Sequence, residues 1–211
     1  HLLGKINFHP LIFIRASLSF PKFSWLEQVT LAFIIDKTTM MRDFLKIAGA
    51  VLLPNVGGIV NGLITRKNLD NWYKHLTFPS YRPPNWIFAP MWTSLYSGIG
   101  YASYLVWRDG GGFSGEARTP LAIFGAQLAL NWAWTPLFFG QHNIKGALVD
   151  LIALTGTSAG CGLLFYKVNH LAGYIFIAYV AWLGFASLLN YEVMKLNPDS
   201  KKSIEASEKQ N

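Results

Sequence analysis

Two tryptophans, Trp92 and Trp182, stand in apolar stretches of the chain beside small residues at helical spacing. Ala89 lies one turn before Trp92, and Ala186 lies one turn after Trp182. Such a spacing leaves room on each helix face for a flat hydrophobic ligand against the indole ring. The alternative is that these tryptophans belong to the aromatic belts at the edges of a membrane. We expect Trp92 and Trp182 to line a binding pocket.

Amide and carboxyl side chains also occur inside the apolar stretches. Gln127 and Asn131 are one turn apart, Asn190 lies near the end of the last stretch, and Asp150 lies six residues after Ile144. Amides in hydrocarbon must pair with each other, with backbone groups or with a ligand, and Asn131 is a candidate ligand-binding residue. Asp150 is either a functional carboxylate within a membrane or a group that pairs with a cation at the interface.

Residue types that support catalysis or metal binding are scattered. His75, His142 and His170 lie in separate predicted loops, and the one cysteine, Cys161, lies inside an apolar run. No HExxH motif, paired-carboxylate spacing or glycine-rich phosphate loop occurs. The sequence therefore predicts no catalytic residue, no metal site and no cofactor, and Cys161 is expected to be a buried structural thiol.

The composition is that of a membrane protein. The chain is 52% hydrophobic and only 14% charged, against about 25% charged residues in ordinary globular domains. Its net charge of +7 is spread over loops and termini. Because no basic face or RNA-binding motif accompanies that charge, membrane lipid is the predicted partner and nucleic acid is not.

Five apolar runs have the length of membrane spans. They cover residues 44–65, 86–107, 121–139, 147–165 and 171–194. About 20 apolar residues cross a hydrocarbon core of ~30 Å as a helix. The runs are too long for strands, and lipid admits only helices or closed barrels. The predicted fold is therefore an all-α integral membrane protein, a bundle of five transmembrane helices with a lid-like first loop.

That first loop, residues 66–85, carries Trp72, Tyr73, Tyr81 and two adjacent prolines. Long loops of this kind are usually functional, so we expect a lid over one mouth of the bundle. The predicted organisation is an N-terminal extension over 1–39, a transmembrane domain over 40–196 and a polar cytosolic tail over 197–211. The extension is a targeting segment, an amphipathic surface stretch or an upstream extension of the reading frame, and the last is favoured.

Basic residues predict the orientation from residue 40 onward. Five lie on the side that holds the N-terminus, namely Arg42, Lys46, Arg108, Arg118 and Lys167. Nine lie on the opposite side, namely Arg66, Lys67, Lys74, Arg82, Lys145, Lys195, Lys201, Lys202 and Lys209. Because cytoplasmic loops carry the excess of Lys and Arg, the C-terminus is predicted to be cytosolic.

Several longer motifs resemble one family. They are PNVGG at 54–58, PSYRPPNWIFAPMW at 79–92, YSGIGYASYLVW at 96–107, QLALNWAW at 127–134 and AWLGFASLLNYEVMK at 181–195. This set resembles the translocator protein family, also called the tryptophan-rich sensory or peripheral benzodiazepine receptor family. The resemblance covers all five runs and implies a five-helix bundle, commonly dimeric, with a ligand cavity beneath the first loop.

The resemblance also implies binding residues. The positions that match the family's drug-binding residues are Gly62, Thr65, Phe88, Ala89, Met91, Val149, Ala153, Trp182, Ala186 and Leu189. Three positions depart from the animal members: Tyr81 and Gly146 stand where those have tryptophan, and Ala153 stands where they have leucine. We expect these changes to thin the pocket wall.

Two further surfaces are predicted. Leu189, Tyr191 and Lys195 satisfy a cholesterol-recognition pattern, at the same place in the fifth helix as in the family. The small residues Gly125, Ala129 and Ala133 recur every four positions, which allows close approach of helices. Because the resemblance places a dimer interface on the third helix, we expect a homodimer through this stripe.

The predicted function is binding of cholesterol or a porphyrin in a helix-bundle cavity, with a role in transport or sensing of that ligand. The resemblance implies a multi-pass protein of the mitochondrial outer membrane. Trp92 and Trp182 also match positions linked to light-dependent porphyrin breakdown in some bacterial relatives, so a porphyrin-degrading enzyme is one alternative. A structural role in a mitochondrial membrane complex, with other outer-membrane proteins as partners, is the other.

Overall fold

Five α-helices make up most of the described chain. The computed structural model describes residues 24–69 and 72–198, and no β-strand occurs within them. The helices are α1 (Trp25–Leu69), α2 (Asn85–Asp109), α3 (Arg118–Thr135), α4 (Ile144–Val168) and α5 (His170–Leu196). Each predicted run lies within one helix, except that the third continues from α3 into a π-helical turn, Pro136–Gly140. The all-helical prediction is confirmed.

Three of these helices are long and apolar enough to cross a membrane by length and composition. They are Leu26–Leu69 within α1, Ile144–Val168 and His170–Leu196. α2 and α3 carry hydroxyl and amide side chains within their apolar runs, among them Ser94, Gln127 and Asn131. The helices therefore support a multi-pass membrane protein.

α1 begins well before the first predicted run, at Trp25 instead of near residue 44. Ser24 and Glu27 form a capping box: the Ser24 backbone N–H donates to Glu27 Oε2 at 2.6 Å, and the Glu27 N–H donates to Ser24 Oγ at 3.4 Å. The chain divides into two compact units after Met41. Most of the predicted extension (1–23) and of the predicted tail (199–211) lies outside the described residues.

The second unit is organised around α5, which packs against α4 and α2, while α4 also packs against α3. Phe165, Phe176 and Tyr179 are among its largest fully buried side chains. α4 and α5 are joined by the single residue Asn169, whose side-chain oxygen accepts the Ala172 N–H at 2.9 Å and so caps α5. This tight link makes α4 and α5 antiparallel neighbours.

Small residues bring α1 close to α2 and α3 within this unit. A Cβ at Gly100 would lie 2.8 Å from the Cα of Val51, and one at Gly57 would overlap the Trp132 indole. A Cβ added at Gly58 would lie 2.6 Å from the Tyr96 ring. Gly100 therefore allows two helix backbones to touch, and Gly57 and Gly58 allow the α1 backbone to contact aromatic rings of the facing helices.

Candidate ligand-binding cavity

A cavity of about 530 Å³ lies among the helices of the second unit. This volume falls within the range of small-molecule sites, about 300–1,000 Å³. Its wall combines mainly apolar side chains with a few amides and hydroxyls. The wall consists of Asn55, Gly58, Ile59, Asn61, Gly62, Thr65, Arg66, Leu69, Tyr73, Phe78, Asn85, Phe88, Ala89, Trp92, Thr93, Tyr96, Asn131, Trp134, Thr135, Phe138, Phe139, Leu151, Leu154, Trp182, Phe185, Ala186, Leu189, Asn190 and Val193.

One side of the cavity is built from aromatic rings of α2 and α5. The Trp182 ring meets Phe88 edge-on at 6.0 Å between ring centroids and Trp92 at 6.3 Å. Trp92 in turn lies 5.3 Å from the Tyr96 ring. The Trp182 Nε1–H is buried and has no hydrogen-bond partner among the described residues. This wall offers broad apolar faces and one unused donor.

A chain of buried polar groups runs from the cavity into the core. Tyr96 Oη donates to Asn131 Oδ1 at 2.5 Å, and Asn131 Nδ2 donates to Tyr179 Oη at 2.8 Å. Gln127 Oε1 accepts from Tyr179 Oη at 3.1 Å and from Ser158 Oγ at 3.2 Å. The amide of Asn131 thus joins α2, α3 and α5 while it also lies on the cavity wall.

Two more asparagines hold the wall together. Asn61 Nδ2 donates to the Trp132 carbonyl at 3.1 Å and so links α1 to α3. Asn190 accepts from Trp134 Nε1 at 3.1 Å and donates to the Ile144 carbonyl at 3.0 Å, which links α5 to α3 and α4. These asparagines therefore pair with the backbone and side chains of neighbouring helices, whereas the Gln127 Nε2 group is buried and has no hydrogen-bond partner among the described residues.

Residues of the loop between α1 and α2 complete the wall at one end. The Tyr73 and Phe78 rings lie 4.8 Å apart, and both line the cavity. The Arg82 guanidinium stacks 4.3 Å over the Phe78 ring, donates to Tyr73 Oη at 3.0 Å and also bonds Asn85. Trp72 is buried, with its ring 5.4 Å from Phe138. The described part of the loop is thus packed and hydrogen-bonded to its surroundings.

Nine of the twelve predicted ligand-binding residues lie on the cavity wall. They are Gly62, Thr65, Phe88, Ala89, Trp92, Asn131, Trp182, Ala186 and Leu189. The cavity wall does not include Met91, Val149 or Ala153, and these three are exposed. On α4 the inward positions are instead Leu151 and Leu154, which are three residues apart and therefore share one face of the helix.

The expected thinning of the pocket wall has no counterpart in this cavity. Tyr81, Gly146 and Ala153 all lie off its wall. Gly146 packs instead against Asn143, whose side-chain oxygen accepts the Gly146 N–H at 3.0 Å and caps α4. Asp150 is also off the wall, and its Oδ2 is buried with no hydrogen-bond partner in the described chain.

The predicted sterol residues fall on two different surfaces. Leu189 lines the cavity. Tyr191 and Lys195 are exposed, with Lys195 Nζ 5.4 Å above the Tyr191 ring and 3.6 Å from Glu192 Oε1. The ring and the cation of the pattern therefore lie together outside the bundle, whereas the leucine points to its interior.

The small residues of α3 have open space beside them. Gly125 and Ala129 are exposed and Ala133 is half-buried. A Cβ at Gly125 would have no atom within 4 Å among the described residues, apart from its own helix neighbourhood. Within those residues no group of three or more His, Cys, Asp or Glu side chains is placed to hold a metal ion.

Sequence reasoning overlooked several wall residues. Phe138 and Phe139 lie in the π-helical turn, where α3 departs from regular periodicity at Pro136. Tyr73 and Phe78 come from the loop, and the aromatic content of that loop was the one available signal. Tyr96 could have been paired with Asn131 only from knowledge of how α2 and α3 face each other.

The fold and the cavity define a class: a helical membrane protein with an internal, aromatic-lined cavity. A family model described as the TspO/MBR family matches residues 50–196. The chain therefore belongs to the TspO/MBR family, which confirms the resemblance found in its motifs.

Named relatives are similar over most of their length. The "Translocator protein" of Bos taurus is 45% identical over 149 residues, which is 71% of this chain and 88% of that protein. The "Tryptophan-rich protein TspO" of Archaeoglobus fulgidus is 36% identical over 156 residues, covering 74% of this chain and 99% of that protein. The "Protein CrtK" of Rhodobacter capsulatus is 37% identical over 131 residues, covering 62% of this chain and 81% of that protein.

Proposed function

We propose that this protein binds a flat apolar ligand, cholesterol or a tetrapyrrole, in the cavity and serves in the transport or sensing of that ligand. The observation that carries the proposal is the wall formed by Phe88, Trp92 and Trp182. The Trp182 ring centroid lies 6.0 Å from that of Phe88 and 6.3 Å from that of Trp92. Rings set edge-on in this way present wide hydrophobic faces to a planar molecule. Ala89 and Ala186 on the same wall leave space beside the rings.

In the proposed membrane arrangement all five helices span the bilayer and the C-terminus lies in the cytosol. The excess of Lys and Arg at the end that holds the loop between α1 and α2 supports this orientation. The proposed location is the mitochondrial outer membrane, which the resemblance of the motifs implies. Transport would use opening of the loop as a lid together with access from the lipid side.

Two surfaces outside the cavity belong to the same proposal. The stripe of Gly125, Ala129 and Ala133, in which the first two residues are exposed, would form a homodimer interface, because small residues let helix backbones approach. Tyr191 and Lys195 would hold a sterol at the membrane surface, with the cation toward its hydroxyl group.

Titration of the purified protein with protoporphyrin and with a cholesterol analogue, in the dark, tests the proposal through quenching of tryptophan fluorescence. We expect saturable binding that Trp182→Ala abolishes. Trp107→Ala is the matched control, because Trp107 lies off the cavity wall and contacts Lys46 at 4.9 Å. The absence of saturable binding at micromolar concentration would refute the proposal and favour a structural role in a membrane complex.

A porphyrin-degrading enzyme is the second candidate. Trp92 and Trp182 are in edge-on contact at the cavity, and both rings would face a bound porphyrin. Illumination of the porphyrin complex separates the two functions. A new absorbing product that Trp92→Phe and Trp182→Phe prevent would establish the enzyme, whereas an unchanged porphyrin spectrum would favour binding and transport.

A further inference from the structure

The middle of the loop between α1 and α2 alternates between the interior and the surface. Leu76 is buried among the aromatic residues near Trp72, and Phe78 lines the cavity. Thr77, which stands between them, is exposed. Any movement of Thr77 away from the bundle would carry Leu76 and Phe78 with it, because adjacent residues share one backbone.

Asn197, directly after the end of α5, holds Thr77 by both of its backbone polar groups. The Thr77 N–H donates to Asn197 Oδ1 at 2.9 Å, and Asn197 Nδ2 donates to the Thr77 carbonyl at 2.9 Å. Asn197 Nδ2 also donates to the Val193 carbonyl at 2.7 Å, in the last turn of α5. The amide is thereby fixed in one orientation, with its oxygen and its nitrogen both engaged.

The remaining contacts of the middle of the loop are packing contacts: Leu76 is buried near Trp72, and the Arg82 guanidinium lies 4.3 Å over the Phe78 ring. Trp72, before residues 74–81, packs beside Phe138, and Arg82, after them, bonds Tyr73 and Asn85. Over residues 74–81 of the described chain, the two bonds at Thr77 are the hydrogen bonds that reach beyond the loop to a helix. Asn197 thus supplies the hydrogen bonds that join the central part of the loop to a helix.

We propose that Asn197 is a positioning residue that latches the loop over the cavity and sets the rate at which a ligand enters and leaves. This inference rests on the proposed ligand-binding function. The two bonds join the protein to itself, so they close the loop over an empty and over a filled cavity alike. Loss of the latch therefore speeds entry and exit equally and leaves the dissociation constant unchanged.

The size of the effect follows from the two bonds. Two neutral hydrogen bonds together shift a closed-to-open ratio by roughly tenfold. We expect Asn197→Ala to raise the association and dissociation rates of protoporphyrin about tenfold. Stopped-flow quenching of tryptophan fluorescence, with the full chain in lipid nanodiscs, measures both rates.

Hydrogen exchange of the loop supplies a readout that needs no ligand. The Thr77 amide is bonded to Asn197 Oδ1, so its exchange in Asn197→Ala should be about tenfold faster than in the wild type. Asn169→Ala is the matched control, because it removes an asparagine that caps the other end of α5 and bonds Asp109 at 2.6 Å. That control should leave both ligand rates and Thr77 exchange as in the wild type.

The outcomes separate the latch from the function on which it rests. Unchanged ligand rates in Asn197→Ala, with binding intact, would overturn the latch alone and indicate that the ligand passes between the helices from the bilayer. Unchanged exchange at Thr77 would overturn it as well. If wild-type protein binds neither protoporphyrin nor a cholesterol analogue, the proposed function fails, and Thr77 exchange still decides whether Asn197 holds the loop.

Discussion

Replacement of Gly100 by alanine tests whether direct contact between α1 and α2 backbones maintains the fold. An added Cβ would lie 2.8 Å from the Val51 Cα and would overlap the Ala50 carbonyl oxygen. Both are backbone atoms, so no side-chain rotation relieves the clash, and α1 must move away from α2. The boundary between these helices forms part of the cavity wall, through Asn55 on α1 and Tyr96 on α2.

The expected loss of stability can be worked out from two opposing terms. Overpacking of a close contact costs about 1–3 kcal/mol, and contact with backbone atoms places Gly100→Ala near the upper end. Alanine in a helix interior recovers about 1 kcal/mol relative to glycine. The net expectation is a loss of about 2 kcal/mol, or about 30-fold in the folded-to-unfolded ratio.

Reversible unfolding with SDS in mixed micelles, followed by circular dichroism, measures this change. Gly49→Ala is the matched control on α1, because a Cβ there has nothing within 4 Å among the described residues. It should be as stable as the wild type or about 1 kcal/mol more stable. Equal stability of Gly100→Ala and Gly49→Ala would refute the reasoning.

Three further predictions concern the polar groups. Asn131→Leu removes the partner of Tyr96 and of Tyr179, so it should lower the free energy of unfolding by about 1–2 kcal/mol; a stability equal to the wild type in SDS titration would contradict this. Arg82→Ala removes the contact with Phe78 and should speed tryptic cleavage after Lys74, a result that limited proteolysis followed by mass spectrometry would show. Hydrogen bonding to Arg108, and then to Asn169, outweighs burial and holds the pKa of Asp109 below its ordinary value of 3.8. A lowered folded-state pKa gives stability that is present above pH 3.8 and is lost as the pH falls through the folded pKa, so thermal unfolding should show an acid-side decline that Asp109→Asn lacks.

The five helices could be predicted because each predicted run is long and mainly apolar and lacks the alternation that is typical of strands. The start of α1 was missed, although Ser24 and Glu27 carry the spacing of a capping box. Hydropathy alone places the beginning of a helix where the apolar run begins. A helix extends further when no proline or glycine interrupts it, and residues 25–43 contain neither.

The residues of the cavity wall could be predicted from the sequence only in part. Trp92 and Trp182 followed from ring size and small neighbours on the same helix, and both lie on the wall. Val149 and Ala153 came only from the resemblance, and α4 turns Leu151 and Leu154 inward instead. Which residues of α4 point inward depends on how the helix packs against its neighbours. The hydropathy pattern does not decide this, because α4 is apolar on all sides.

The three asparagines around the cavity have a consequence for the thermodynamics of binding. Asn61, Asn131 and Asn190 tie α1, α2, α3, α4 and α5 to one another by bonds that involve no ligand. The site is therefore preorganised, and a ligand would meet a wall whose shape is already set. Little of the binding free energy would be spent on ordering the protein. Selection among apolar molecules would then depend on how well a rigid outline fits, so stiff polycyclic ligands should be favoured over flexible acyl chains of equal surface area.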